Sequence, residues 1–273
     1  MITNLLKKQT LDSFDYQWKN LPSGTGLLSD QAFAADVPRI LSQEELCIHQ
    51  DWFPGKEVLD AGCGNGRWTH GFLKLGARVT AVDYSDAALQ HVRDSQSSLD
   101  MTSNLNLKKE DLLNISEDLR GKKFDLVFSW GVLHHTGDTH QALCNIAHLV
   151  KDNGVIYLYL YGTDSLSFVR KSLLHLLRSL LAPFPFPQKQ KILERIFGRK
   201  NCHNFFDIYS PLINERFKFE TIKTWLNRLG FPVVDQTIRH TEIFIRGCKE
   251  GCSAKPYFLP SPQRPYWFER LKP

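Results

Sequence analysis

A chain of 273 residues, 42% hydrophobic and 23% charged, has the make-up of a globular protein and the length of one large domain with insertions, or a domain plus a small accessory part. It contains no apolar run of 18 residues that would span a bilayer. The opening MITNLLKKQTLDSFDYQ lacks the apolar core and cleavage site of a secretory signal, so none is expected. Six scattered cysteines (Cys47, Cys63, Cys144, Cys202, Cys248 and Cys252) suggest reduced thiols in a cytoplasmic setting rather than a disulfide framework. Cys248 and Cys252 form a C-x3-C pair without a second pair at zinc-ligand spacing, and are expected to be plain thiols. The net charge of +5 is local: from Thr163 to Lys200, eight basic residues stand against two acidic ones, a net +6 that leaves −1 for the remainder.

Along the chain, EVLDAGC, RVTAVDY, NLKKEDL, FDLVFSW and GVIYLYLYG read as strands, rich in branched and aromatic residues and bounded by Gly or Asp. Between them GRWTHGFLKLG, SDAALQHVRDSQ and THQALCNIAHLVKDNG carry apolar residues at helical spacing, the last closing at Asn153-Gly154. This alternation predicts an α/β fold: a Rossmann-like doubly wound sheet with helices on both faces, mostly parallel. After Tyr161 the rhythm breaks. SLSFVRKSLLHLLRSLLA and QKQKILERIF predict two basic amphipathic helices separated by PFPFP. It resumes with FETIKTWLNRLGF as a helix and PVVDQTI and TEIFIRGC as closing strands, the last antiparallel. The expected organisation is therefore an N-terminal helical and aromatic arm (1–50), a core (51–162), a basic helical lid insertion (163–217), the closing helix and strands (218–248) and a Pro- and aromatic-rich tail (249–273).

The stretch EVLDAGCGNG, from Glu57 to Gly66, runs a strand into a glycine-rich turn and then a helix. Glycines admit close backbone approach, and a helix N-terminus offers free N–H groups. The spacing is G-x-G-x-G (Gly62, Gly64, Gly66). A dinucleotide fingerprint would need Gly where Arg67 stands, and a P-loop would need Gly-Lys-Ser/Thr. Asp60, just before the turn, would repel a pyrophosphate and welcome a cation.

With these residues the chain resembles class I S-adenosylmethionine-dependent methyltransferases, over about 57–162 with a weaker echo to 248. The resemblance implies S-adenosylmethionine as cofactor, with Asp60 facing its amino or sulfonium charge and Gly62, Gly64 and Gly66 forming the cradle. Asp83, followed by Tyr84, would bond both ribose hydroxyls; Asp111 and Leu112 would read the adenine, and the backbone at Ser129 and Trp130 would contact the methionine part. WGVLHHTGD follows the fourth strand, next to where the transferable methyl must project. A hydroxyl or ammonium acceptor must lose a proton, and His is suited to take it. By resemblance His135 is the candidate base, with His134 second; a metal held by His134, His135, Asp138 and His140 is not expected, because adjacent rings rarely converge on one ion.

SFDYQW resembles a Phe-x-x-x-Trp segment ahead of the domain in some members, where a flexible aromatic arm carrying Tyr16 and Trp18 would close over the cofactor; packing on the sheet edge is the alternative. DIYSP resembles a substrate-side loop, and Tyr209 and Tyr161 are candidates to line the acceptor pocket. Arg67 and Trp68 would anchor the helix after the turn, with Trp68 facing the ligand as the alternative. The function expected is methyl transfer to an oxygen or nitrogen nucleophile of a small-molecule acceptor, acidic or lipophilic in view of the basic lid, with peripheral membrane contact through the helix near 166–182. An RNA methyltransferase and a non-catalytic S-adenosylmethionine-binding subunit are the alternatives. Nucleic acid is not the expected partner, since the Asn/Asp-Pro-Pro-aromatic motif of base methylation does not follow the fourth strand.

Overall fold

The computed structural model describes residues 2–21, 31–97, 103–163, 168–199 and 202–262. Residues 22–30 of the expected arm, 164–167 and 200–201 of the insertion and 263–273 of the tail lie outside the described residues. In chain order come α1 (Ile2–Asn20), α2 (Gln31–Arg39) continuing into a π-helical turn (Ile40–Glu45), β1 (Glu57–Ala61), α3 (Arg67–Lys74), β2 (Arg78–Asp83), α4 (Asp86–Ser97), β3 (Leu105–Lys109), α5 (Glu117–Arg120) and β4 (Phe124–Trp130). A short helical turn (Leu133–His135) follows, then α6 (Thr139–Ala147), β5 (Val150–Leu160), α7 (Phe168–Leu181), α8 (Phe186–Phe197), α9 (Cys202–Tyr209), α10 (Phe219–Arg228), β6 (Val233–Gln236) and β7 (Ile243–Cys248).

The strands form one sheet in the order β3-β2-β1-β4-β5-β7-β6. The first five are parallel, and β7 runs antiparallel to both β5 and β6. Side chains alternate between two cores, as the period of two in a strand requires. On β4, Leu126 and Phe128 enter one core with Trp68, Phe72 and Tyr157, while Val127 between them enters the other with Leu143, Ile156 and Ile222; Phe124 joins that second core because the register shifts between Phe124 and Leu126. Phe128 stacks on Tyr157 at 5.3 Å between centroids. Burial on both faces explains why β4 is apolar nearly throughout. The order of the sheet reverses between β1 and β4, so the carboxyl ends of these strands open the crevice where such folds bind ligands.

Three expectations change. Asn153-Gly154 is not a helix stop: α6 ends at Ala147 and both residues lie in β5. Leu149 and Val150 continue the apolar period of the helix, but Val150 pairs with Phe124, and the register then shifts so that Val155 meets Leu126. DIYSP is not a loop, because Asp207 to Tyr209 form the last turn of α9, whose apolar spacing sinks Phe206 into a cluster with Leu181 and Leu193. The segment that carries SFDYQW is part of a 19-residue helix rather than a flexible strap. It is pinned to the segment after α9 by a buried hydrogen bond between Ser13 and Ser210 (2.7 Å) and by Ile213 N–H donating to Thr10 Oγ1 (3.0 Å).

Candidate functional site

The glycine turn has the backbone the spacing implied. Gly62 and Gly64 lie at φ +86° and +52°, in the left-handed region. A Cβ on Gly62 would fall 2.3 Å from Val132 Cγ2, and one on Gly64 would fall 2.9 Å from Trp18 Cζ2, so both positions exclude a side chain. Gly66 caps α3. At the tip of β2, Asp83 accepts from Gly64 N–H through Oδ2 (3.0 Å) and from Ser85 N–H through Oδ1 (2.9 Å). Each oxygen keeps a further lone pair, so the carboxylate can take two more donors. Burial raises its pKa, against those backbone hydrogen bonds.

These groups line a cavity of about 980 Å³ between the sheet ends, α1, α7 and α9. Lys7, Leu11, Phe14 and Trp18 present one face of α1 to it. Lys7 Nζ pairs with Asp111 at 2.8 Å, and His91 Nε2 lies 2.6 Å from the Trp18 carbonyl, so α1 is tied across the crevice. Arg67 lies over the rings of Trp68 and Trp130, at 4.3 and 4.8 Å from their centroids.

At the other end of the cavity stand His135, Tyr161, Asp207, Arg178 and Arg216. His135 Nδ1 lies 2.8 Å from the Ile213 carbonyl. A carbonyl only accepts, which assigns the proton to Nδ1 and leaves Nε2, buried and without a protein partner, as an acceptor. Burial pushes His135 down to about 4, assisted by Arg178 and Arg216, so the ring is neutral at pH 7. The Tyr161 hydroxyl meets Asp207 Oδ2 at 3.1 Å, and burial raises Asp207 to about 6.

Residues 59–156 match a family model described as a methyltransferase domain. The ubiquinone biosynthesis O-methyltransferase of Coxiella burnetii is 30% identical over 103 residues, covering 38% of this chain and 42% of that protein. The Pasteurella multocida protein of the same name is 34% identical over 110 residues (38% and 45%), and the mitochondrial one of Schizosaccharomyces pombe is 34% identical over 118 (42% and 41%). The match thus spans less than half the length of these relatives. In overall fold the chain is similar to magnesium protoporphyrin IX methyltransferase from Synechocystis, solved with bound SAH (TM-score 0.54, 17% identity, 90% of this chain and 99% of that one). It is also similar to a chain of the Haloferax volcanii complex between the Trm112 activator and a methyltransferase (TM-score 0.55, 14% identity, 86% and 96%). The fold and the glycine turn agree with the family model. The chain carries a class I S-adenosylmethionine-dependent methyltransferase domain.

The cavity of the methyltransferase domain brings together Gly62, Gly64, Asp83, Tyr84, Asp111, Leu112, Trp130, His135, Trp18, Tyr161 and Tyr209 from the residues singled out in the sequence. Others stand apart. Asp60 is buried behind the turn and accepts from Thr69 Oγ1 at 2.6 Å; burial raises it to about 7, so it secures α3 to β1 rather than facing a ligand. Ser129 donates to the Ala61 carbonyl (2.9 Å), closing β4 onto β1. His134 is fully buried behind Tyr161, ring centroids 4.0 Å apart, off the cavity wall. Tyr16 turns away from the cavity to Gln190 (2.7 Å) and to the rings of Phe186 and Phe206.

Phe14, Asp207, Arg178 and Arg216 were not singled out as site residues, yet they line the cavity. Phe14 stands one helical turn before Trp18, a spacing that marks a shared face once α1 is known to be helical.

The residues present fit the cofactor. A turn cleared of side chains, an acceptor-only carboxylate at the next strand tip and an indole at the end of β4 meet one cavity large enough for a nucleoside and a second small molecule.

Proposed function

We propose that the protein transfers a methyl group from S-adenosylmethionine to an oxygen or nitrogen nucleophile of a small-molecule acceptor. The observation that carries this reading is one cavity lined by Asp83, the glycine turn and His135, whose Nε2 is buried and has no protein partner. The cofactor supplies an electrophilic methyl group on a sulfonium sulfur. Gly62, Gly64 and Asp83 hold the nucleoside end, Asp111 and Leu112 border the base, and Trp130 floors the methionine end. α1 roofs the crevice with Phe14 and Trp18 and keeps water from the reacting atoms.

His135 takes the acceptor's proton at Nε2. An imidazolium is disfavoured there by burial and by two guanidiniums, so the proton moves as the deprotonating nucleophile supplies the compensating negative charge. Tyr161 and Asp207 orient the acceptor beside it. The reading is supported by the relatives' names, which describe O-methyltransferases. Incubating the chain with methyl-labelled cofactor and cell extract should yield a labelled small molecule; label that stays with the cofactor would refute it.

The outer face of α7 supports contact with a membrane interface. Val169, Leu176 and Leu180 stand exposed on it, and Lys191, Arg195 and Arg199 are exposed on the next helix and just beyond it. No described helix is long and apolar enough to cross a membrane. The chain should sediment with phosphatidylglycerol vesicles and not with phosphatidylcholine ones, and Leu176→Glu with Leu180→Glu should release it. Equal sedimentation of the double variant would remove the contact.

A further inference from the structure

α7 turns Leu174, Arg178 and Leu181 inward while its outer stripe is apolar. An arginine on the inner face of such a helix needs a reason. Arg178 is 6% exposed. Its Nε and Nη2 both donate to the Ile208 carbonyl, at 2.8 and 2.6 Å. That bond engages one edge of the planar guanidinium. The other edge, formed by Nη1 and the second N–H of Nη2, has the geometry that receives a carboxylate through two parallel hydrogen bonds.

Among the described residues no carboxylate lies within ion-pair distance of Arg178. Asp207, on the neighbouring helix, is held by Tyr161 instead. Arg216 adds a second cation nearby, engaged by the Gly162 carbonyl and by Glu242, with its guanidinium 4.9 Å from the Tyr161 ring centroid. Asp207 attracts the Arg178 charge only from beyond ion-pair distance, and burial raises that carboxyl's own pKa to about 6. A buried guanidinium without a directly paired anion is costly, and it persists where a ligand brings one. The wall around it is otherwise apolar, with Phe14, Tyr159 and Leu174 lining the same cavity.

We propose that Arg178 anchors a non-reacting carboxylate of the methyl acceptor, which is therefore an amphiphilic carboxylic acid. Its anionic head meets the free edge of Arg178, its apolar or aromatic body lies against Phe14 and Leu174, and its nucleophile points to His135. This rests on the methyl-transfer reading of the cavity and adds the class of acceptor to it.

Calorimetry on the full chain loaded with S-adenosylhomocysteine tests it with two matched pairs, benzoate against benzamide and decanoate against decanamide. At least one acid should bind about tenfold more tightly than its neutral amide. Arg178→Gln should abolish that preference while S-adenosylhomocysteine affinity stays near wild type, and Arg178→Lys should retain part of it. Equal binding of acid and amide in both pairs, or binding of neither acid, overturns the proposal, as does a preference that survives Arg178→Gln. Should Arg178→Gln lose cofactor affinity through misfolding, Arg178→Lys decides, and an undiminished preference there overturns it. Failure of the wild-type chain to bind S-adenosylhomocysteine would count against the methyltransferase reading. The acid-over-amide comparison, repeated without cofactor, still tests the anion site separately.

Discussion

Asp83, His135 and His134 show how much the role of one side chain depends on what its neighbours leave free. Backbone N–H groups occupy one lone pair on each oxygen of Asp83 and aim the others into the cavity. Asp83→Ala should weaken S-adenosylmethionine binding about tenfold or more by calorimetry. Unchanged affinity would remove the ribose assignment. His135 is held by one nitrogen, and the other is buried without a protein partner. His135→Ala should lower turnover about a hundredfold with cofactor affinity nearly intact; if turnover survives, the ring only shapes the turn. His134 has both ring nitrogens buried and unpartnered, and its ring lies tilted against Tyr161. His134→Phe keeps a ring there and removes two unsatisfied polar atoms, so turnover should persist and stability should hold or rise.

At the level of elements, α1 and α7 decide what the cavity becomes. α1 presents Lys7, Leu11, Phe14 and Trp18 to the crevice and packs Trp18 against the backbone of Gly64. Trp18→Ala should speed cofactor dissociation about tenfold and raise hydrogen exchange at the amides of the glycine turn. Exchange unchanged from wild type would show that α1 roofs the crevice without Trp18. α7 is inverted relative to a simple amphipathic helix: its inward face carries Arg178, and an apolar stripe faces outward.

Across the whole molecule, the buried titratable groups set how stability responds to pH. Burial holds His135 and His203 at about 4 and His134 well below its usual range, so all three are neutral when folded at pH 7. The unfolded chain protonates them near 6.5, so their contribution is lost as pH falls from about 6.5 toward 4. Asp60 and Asp207, raised by burial to about 7 and 6, act the other way: their contribution is present below about 4 and is lost as pH rises through those values. The fall in Tm from pH 7 to pH 5 should therefore be smaller in His134→Phe than in wild type and larger in Asp60→Asn. Thermal denaturation at the two pH values checks both signs, and the reverse order would remove this account.

The parallel sheet, the glycine turn and the carboxylate of Asp83 were legible in the chain alone. Each rests on short-range physics: alternation along a strand, positive φ at Gly62 and Gly64, and a loop only a few residues long. At Asp60 the same local pattern suggested a ligand, whereas the side chain is buried and accepts from Thr69 Oγ1. Asn153-Gly154 misled for a related reason, since pairing with β4 overrode a local stop signal. The acceptor end of the cavity could not be read in advance, because it is assembled from β5, α7, α9 and the segment after α9, which lie far apart in sequence. Whether Arg178 faces water or a buried pocket is fixed by what α7 packs against, and helical periodicity carries no information about that partner.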